Sequence, residues 1–114
     1  MKVELLKCKV HRATVTDSDL NYEGSITMDP ALCKVAGLHK FEKVDILNCN
    51  NGERFTTYVI FGNPGEICLN GPAARKVHRG DKVIIAAYCQ IENSEAEKFE
   101  PTLVFVDEKN EPKS

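Results

Sequence analysis

Residues 21–29, Asn-Tyr-Glu-Gly-Ser-Ile-Thr-Met-Asp, set a glycine directly before a serine where a turn-rich run meets a strand-like one. A serine oxygen held over the carbonyl carbon of the preceding residue can attack it and turn the peptide bond into an ester, an N-to-O acyl shift. Gly24 leaves that carbonyl unhindered and tolerates backbone angles that other residues resist, so a fold can hold the bond in a strained, reactive form. Elimination of the ester cuts the chain after Gly24 and leaves dehydroalanine at residue 25, which loses ammonia on hydrolysis to give a pyruvoyl group. Such a ketone condenses with an amine and accepts electrons when carbon dioxide departs, so its natural use is amino-acid decarboxylation. Most Gly-Ser pairs are plain turns, and the pair alone does not choose between the two readings.

Other residues could serve such a site. Lys7, Lys9 and His11 alternate with Cys8 and Val10, which gives the first segment an unusually cationic polar face. In Arg54-Phe-Thr-Thr-Tyr-Val-Ile60 the same alternation puts Arg54, Thr56 and Tyr58 on one face and Phe55, Thr57 and Val59 on the other. Thr57 and Tyr58 can then serve one site only through a twist, a bulge or a boundary between subunits. Each of these also has a plain reading as a solvated charge or a strand former. His11, His39 and His78 lack ligand-like spacing, and no metal site is expected.

Positioning these residues falls to short strands. Asp29 offers an N-cap and Pro30 a first helical position, with Gly37 as the stop, so 30–36 reads as a short helix. Residues 43–61 read as a hairpin around Asn51-Gly52, the pair preferred in tight primed turns. Ile67–Asn70 is a short strand, and residues 71–78 form a helical turn. Residues 81–91 are a nearly continuous apolar strand expected to be covered on both faces. A helical turn at 93–99 and a strand at 102–107 follow. Six or more short strands with two or three single-turn helices indicate a mainly β protein, a small β-barrel.

Composition bounds the function. A chain of 114 residues, 42% hydrophobic and 28% charged, suits one globular domain over 1–114, and no apolar run approaches a membrane span. The net charge of -2 hides a gradient, since residues 1–12 carry four Lys/Arg against one Glu while 92–111 carry seven acids against two lysines. That basic start is too small for a nucleic-acid footprint but could hold a small anion. Five cysteines, none closer than 16 residues to the next, read as reduced and mostly buried. The alternating N-terminus does not look like a secretory signal, and a cytoplasmic location is expected.

Four stretches occur together in the order and spacing of the aspartate 1-decarboxylase family, the pyruvoyl enzymes that make β-alanine for pantothenate. They are KVHRATVTDSDLNYEGSITMD, NNGERFTTYVI, ICLNGPAAR and GDKVIIAAY, and the similarity covers about residues 1–108. The resemblance implies a double-psi β-barrel assembled as a homotetramer with active sites between neighbouring subunits. It implies cleavage between Gly24 and Ser25, with Ser25 becoming the pyruvoyl cofactor that reacts with L-aspartate. Tyr58 matches the family's proton donor, and Thr57 matches a residue that contacts substrate and assists cleavage by hydrogen-bonding the Gly24 carbonyl. Lys9 and Arg54 match the cations that receive the two carboxylates of aspartate. Asn70, Gly71, Pro72 and Ala73 match the substrate-side loop, where Pro72 replaces the family's usual alanine and removes a backbone donor. His11 and Tyr22 are candidates for support of the substrate site and of the cleavage loop. Whether cleavage is spontaneous or needs a maturation factor is left open by the sequence. Two rival readings are a pyruvoyl decarboxylase of another acidic amino acid such as glutamate, and a non-catalytic barrel that binds a partner.

Overall fold

The computed structural model describes residues 1–113; Ser114, the last residue of the expected domain, lies outside them. The chain forms β1 (Lys2–Thr14), β2 (Asp17–Asp19), β3 (Ser25–Met28), α1 (Pro30–Ala36), β4 (Lys43–Asn48), β5 (Arg54–Phe61), β6 (Ile67–Asn70), β7 (Lys82–Glu92) and β8 (Thr102–Phe105). Two 3-10 helices lie at Gly71–Lys76 and Asn93–Lys98. The strands join in the order β2-β6-β3-β5-β4-β7-β1-β8. The fold is mainly β, as expected, and its pairing is mixed: β3 runs parallel to β5 and antiparallel to β6, while β1 runs antiparallel to β7 and parallel to β8.

A short piece of chain joins β2, at one end of that order, to β1, next to the other end. β1 passes directly into β2, and at the junction Thr16 N–H donates to Ile67 O at 2.8 Å while Thr16 Oγ1 accepts from Ile67 N at 3.0 Å. The sheet curls back on itself as a small β-barrel does. Its length demands that β1 bend, and register shifts at Leu6/Cys8 and Val10/Ala13, with Arg12 at φ 59°, provide the bend. Inside, Val10, Ile26, Met28, Leu32, Ile46, Val59, Ile67, Leu69 and Ile85 are fully buried. No helix among the described residues is long and apolar enough to cross a membrane.

Helix α1 covers the expected residues for the expected reasons. The Asp29 carboxylate accepts from Ala31 N–H at 2.8 Å, Pro30 begins the helix, and Gly37 at φ 82° ends it. Three local expectations are corrected. The 49–53 connection is not a two-residue primed turn, because Asn51 keeps negative φ and only Gly52 is left-handed, at 77°. Asn48 causes the difference: its carbonyl accepts from Gly52 N–H at 2.9 Å and its side chain from Asn50 N–H at 2.9 Å, which opens a wider loop. The turn-rich stretch before Gly24 contains β2, a three-residue strand held against β6. Strand β7 is covered on both faces only over its first half, and from Tyr88 onward alternate residues are exposed.

Candidate active site

Ser25 opens β3 and is only 1% exposed. Across the antiparallel ladder it faces Asn70, the last residue of β6, whose side chain is also buried, at 3%. Asn70 Nδ2 donates to Ser25 Oγ at 3.0 Å, and Ser25 Oγ donates to the Glu23 carbonyl at 3.1 Å. The serine oxygen is therefore pinned from two sides, one bond fixing its lone pair and one its proton. Two strand residues extend the contact: Asn70 Nδ2 also donates to Thr27 Oγ1 at 2.8 Å, and Asn70 Oδ1 accepts from Cys68 Sγ at 3.3 Å. Because the Asn70 side chain is committed to these groups, it makes no capping bond to the 3-10 helix that follows. Burial pushes the Cys68 thiol up to about 11, with Asp17, Glu66 and Asp19 adding to the shift, so Cys68 keeps the hydrogen that it donates.

The loop after Asn70 seats the scissile peptide. Gly71 lies at φ 66°, and a Cβ there would stand 2.8 Å from both the Cα and the N of Gly24 and 3.0 Å from the Tyr22 carbonyl oxygen. Only glycine admits that approach. Gly24 itself has no left-handed backbone angle, and a Cβ on it would meet only Pro72 Cδ, at 3.6 Å. The conformational demand expected at Gly24 falls instead on Gly71. Pro72 packs its ring beside Gly24, and Ala73 is buried in the 3-10 helix.

β5 brings a second group of expected residues to the level of the serine. Ile26 of β3 is in register with Val59 of β5, so one step back along both strands Ser25 and Tyr58 are neighbours. Tyr58 is 36% exposed and packs against Phe41, ring centroids 6.4 Å apart. Thr57 is half-buried on the opposite face, as alternation requires, and among the described residues it makes no hydrogen bond to the Gly24 carbonyl. Arg54 shares the Tyr58 face but starts the strand, about 13 Å away at the usual rise per residue.

Lys9 and His11 are elsewhere. They lie on β1, four strands from β3 in the sheet order, and Lys9 is half-buried between Ala86 of β7 and Leu103 of β8. His11 sets its ring edge against Phe105, with centroids 5.4 Å apart. Its Nδ1 is buried without a hydrogen-bond partner. Burial, then Lys9 and Arg12, hold the His11 imidazole below its ordinary value and so neutral at pH 7. Neither Lys9 nor Arg54 has an acidic partner among the described residues. Two uncompensated cations are free for an anion. The Tyr22 side chain is 55% exposed, and it is the backbone of Tyr22 that meets Gly71.

Glu23, Thr27 and Cys68 were absent from the sequence expectations. The period of two along β3 and β6 puts Ser25 with Thr27 and Asn70 with Cys68, but their pairing is long-range and no local motif announces it.

The sequence model of the aspartate decarboxylase family matches residues 1–113. The chain is 61% identical to the aspartate 1-decarboxylase of Bdellovibrio bacteriovorus over 110 residues, 96% of this chain and 89% of that protein. With the aspartate 1-decarboxylase of Campylobacter hominis it shares 60% identity over 97% of both chains. The Wolinella succinogenes aspartate 1-decarboxylase is 59% identical over 97% of this chain and 93% of its own. The chain belongs to the aspartate decarboxylase family.

Proposed function

We propose that the protein removes one carboxylate of L-aspartate to give β-alanine and carbon dioxide, a step toward pantothenate, using a pyruvoyl group cut from its own chain at Gly24-Ser25. The observation that carries this reading is the double hold on Ser25 Oγ by Asn70 and Glu23, beside a Gly24 backbone seated on Gly71. The residues present suit formation of the group: a buried hydroxyl adjoins the carbonyl of a residue that has no side chain of its own.

Ser25 Oγ attacks the Gly24 carbonyl carbon, and the C–N bond breaks as the hydroxyl proton is delivered to the Ser25 nitrogen. The product is an ester. Loss of the residue 25 Cα proton then breaks the Cβ–O bond, frees Gly24 as a carboxylate and leaves dehydroalanine. Addition of water and departure of ammonia complete the ketone. In the bound state this group supplies a sink for the electron pair left by carbon dioxide.

The rest of the chemistry belongs to side chains. Arg54 grips one substrate carboxylate with its planar fork, and Lys9 attracts the other as a point charge. Tyr58, at the level of residue 25 on the adjacent strand, returns a proton to the reacting carbon. Thr57 assists cleavage after a shift of the Gly24 carbonyl toward it. Lys9 lies on β1, which does not pair with β3, and a second copy supplies it, in a homotetramer with sites between subunits. The protein works in the cytoplasm, in keeping with five unpaired cysteines.

Incubation of the cleaved protein with L-aspartate should yield β-alanine, and Ser25→Ala should yield none. Faster turnover of L-glutamate would overturn the substrate assignment, and no turnover of either would leave a binding barrel.

A further inference from the structure

The four side chains on one face of the β3–β6 ladder do more than fill space. Ser25 is registered with Asn70 and Thr27 with Cys68, and the diagonal from Thr27 to Asn70 is the shortest bond of the set, at 2.8 Å. A primary amide has two N–H donors and one carbonyl. Here one donor goes to Ser25, the other to Thr27, and the carbonyl receives the Cys68 thiol. All three edges of a buried group are used. Flipping the amide would aim N–H groups at the thiol hydrogen and leave Ser25, whose own proton is given to Glu23, without a donor.

The geometry points to Thr27, supported by Cys68, as a positioning residue for self-cleavage: it fixes the plane of the Asn70 amide and thereby the attacking oxygen of Ser25. This rests on the cleavage proposed above and adds residues that never touch the scissile bond. Thr27 is half-buried beside a cleft of about 350 Å³ that Tyr22, Cys68 and Asn70 also line, and the one side-chain hydrogen bond it makes among the described residues is to Asn70. Without that hydroxyl one Asn70 N–H is left unpaired in the interior, and the amide turns to satisfy it. Ser25 then loses its fixed donor.

The test follows cleavage of freshly purified precursor by denaturing mass spectrometry, in wild type, Thr27→Val and Thr27→Ser. Valine keeps the shape and removes the hydroxyl, and cleavage should slow about tenfold, the rate equivalent of one buried hydrogen bond. Thr27→Ser should restore a rate within about twofold of wild type, the scatter expected of a conservative change that keeps the bond. Cys68→Ser, which keeps a donor, should cleave normally, and Cys68→Ala should be slow. Folding is checked in an uncleavable background, Ser25→Ala against Ser25→Ala/Thr27→Val, both of which should be fully folded by circular dichroism at the cleavage temperature even where the lost hydrogen bond lowers the melting temperature. Wild-type rates in Thr27→Val, or a Thr27→Ser variant as slow as valine, would overturn the role of Thr27. A wild-type protein that never cleaves would instead overturn the underlying reading.

Discussion

Gly71 and Gly24 approach so closely that a single Cβ on Gly71 would stand 2.8 Å from the Gly24 Cα and N. Gly71→Ala must adopt a left-handed angle, at roughly 1–2 kcal/mol, and also push the scissile residue aside. A misplacement of about 1 Å in a reacting group can cost about 100-fold in rate. Gly71→Ala should therefore remain folded by circular dichroism yet cleave about 100-fold more slowly. Cleavage at the wild-type rate would show that the seat is not used.

Tyr58→Phe separates making the ketone from using it. The phenol oxygen makes no hydrogen bond to Ser25 or Asn70, whose bonds are to each other, Glu23, Thr27 and Cys68, so the variant should split as wild type does. Its turnover of aspartate should fall by about 100-fold or more, the usual contribution of a positioned proton donor. Loss of cleavage as well would place Tyr58 in maturation.

Lys9 and Ser25 lie on strands that do not pair, and the proposal that a neighbouring chain supplies Lys9 is testable. Lys9→Ala and Ser25→Ala should each be nearly inactive alone, the first for want of a cation and the second of a ketone. Co-expressed so that both enter one oligomer, they should recover part of the activity if a chain carrying Lys9 completes the site of its neighbour. No recovery in purified mixed oligomers would mean that one chain supplies both groups.

The Asp29 carboxylate serves two segments, capping α1 through Ala31 N–H and holding Gly65 N–H at 3.0 Å. Asp29→Ala should lower unfolding free energy in urea by about 1–2 kcal/mol, the range for a lost N-cap. An unchanged midpoint would contradict that role.

Asp81 gives stability a pH dependence of known sign. Its carboxylate accepts from Asn48 Nδ2 at 2.8 Å and from His78 N–H at 2.9 Å, and the Asn48 bond, the larger cause, holds it below the ordinary aspartate value. A carboxylate whose folded value is depressed adds stability that is complete above the unfolded value and is lost as pH falls through the folded one. Wild type should thus exceed Asp81→Asn in urea midpoint at pH 7, and the gap should close on acidification. A gap that persists at acid pH would assign the effect to shape.

Much of this architecture is legible in sequence because its signals are local. Asp29, Pro30 and Gly37 mark α1 within a few residues, and alternation in β1 and β5 sorts buried from exposed positions. Asn51-Gly52 misleads because Asn48 captures the Asn50 and Gly52 N–H groups, while its own Nδ2 donates to the Lys76 carbonyl and the Asp81 carboxylate, distant in sequence. The site divides in the same way. Gly24, Ser25 and Tyr58 stand out through family motifs, whereas the Thr27–Asn70–Cys68 contacts arise only once β3 and β6 pair. Gly71 looked like one residue of a substrate loop, and only its φ of 66° against the Gly24 backbone shows what it does.

The central claim is that the chain makes its own ketone at residue 25. Intact mass under denaturing conditions, before and after warm incubation and beside Ser25→Ala, tests it most directly. The account predicts two fragments divided between Gly24 and Ser25, the larger lighter by one ammonia than its encoded sequence, and an uncut Ser25→Ala. A larger fragment at its full encoded mass, with serine still at its N-terminus, would mean simple hydrolysis and would contradict the account.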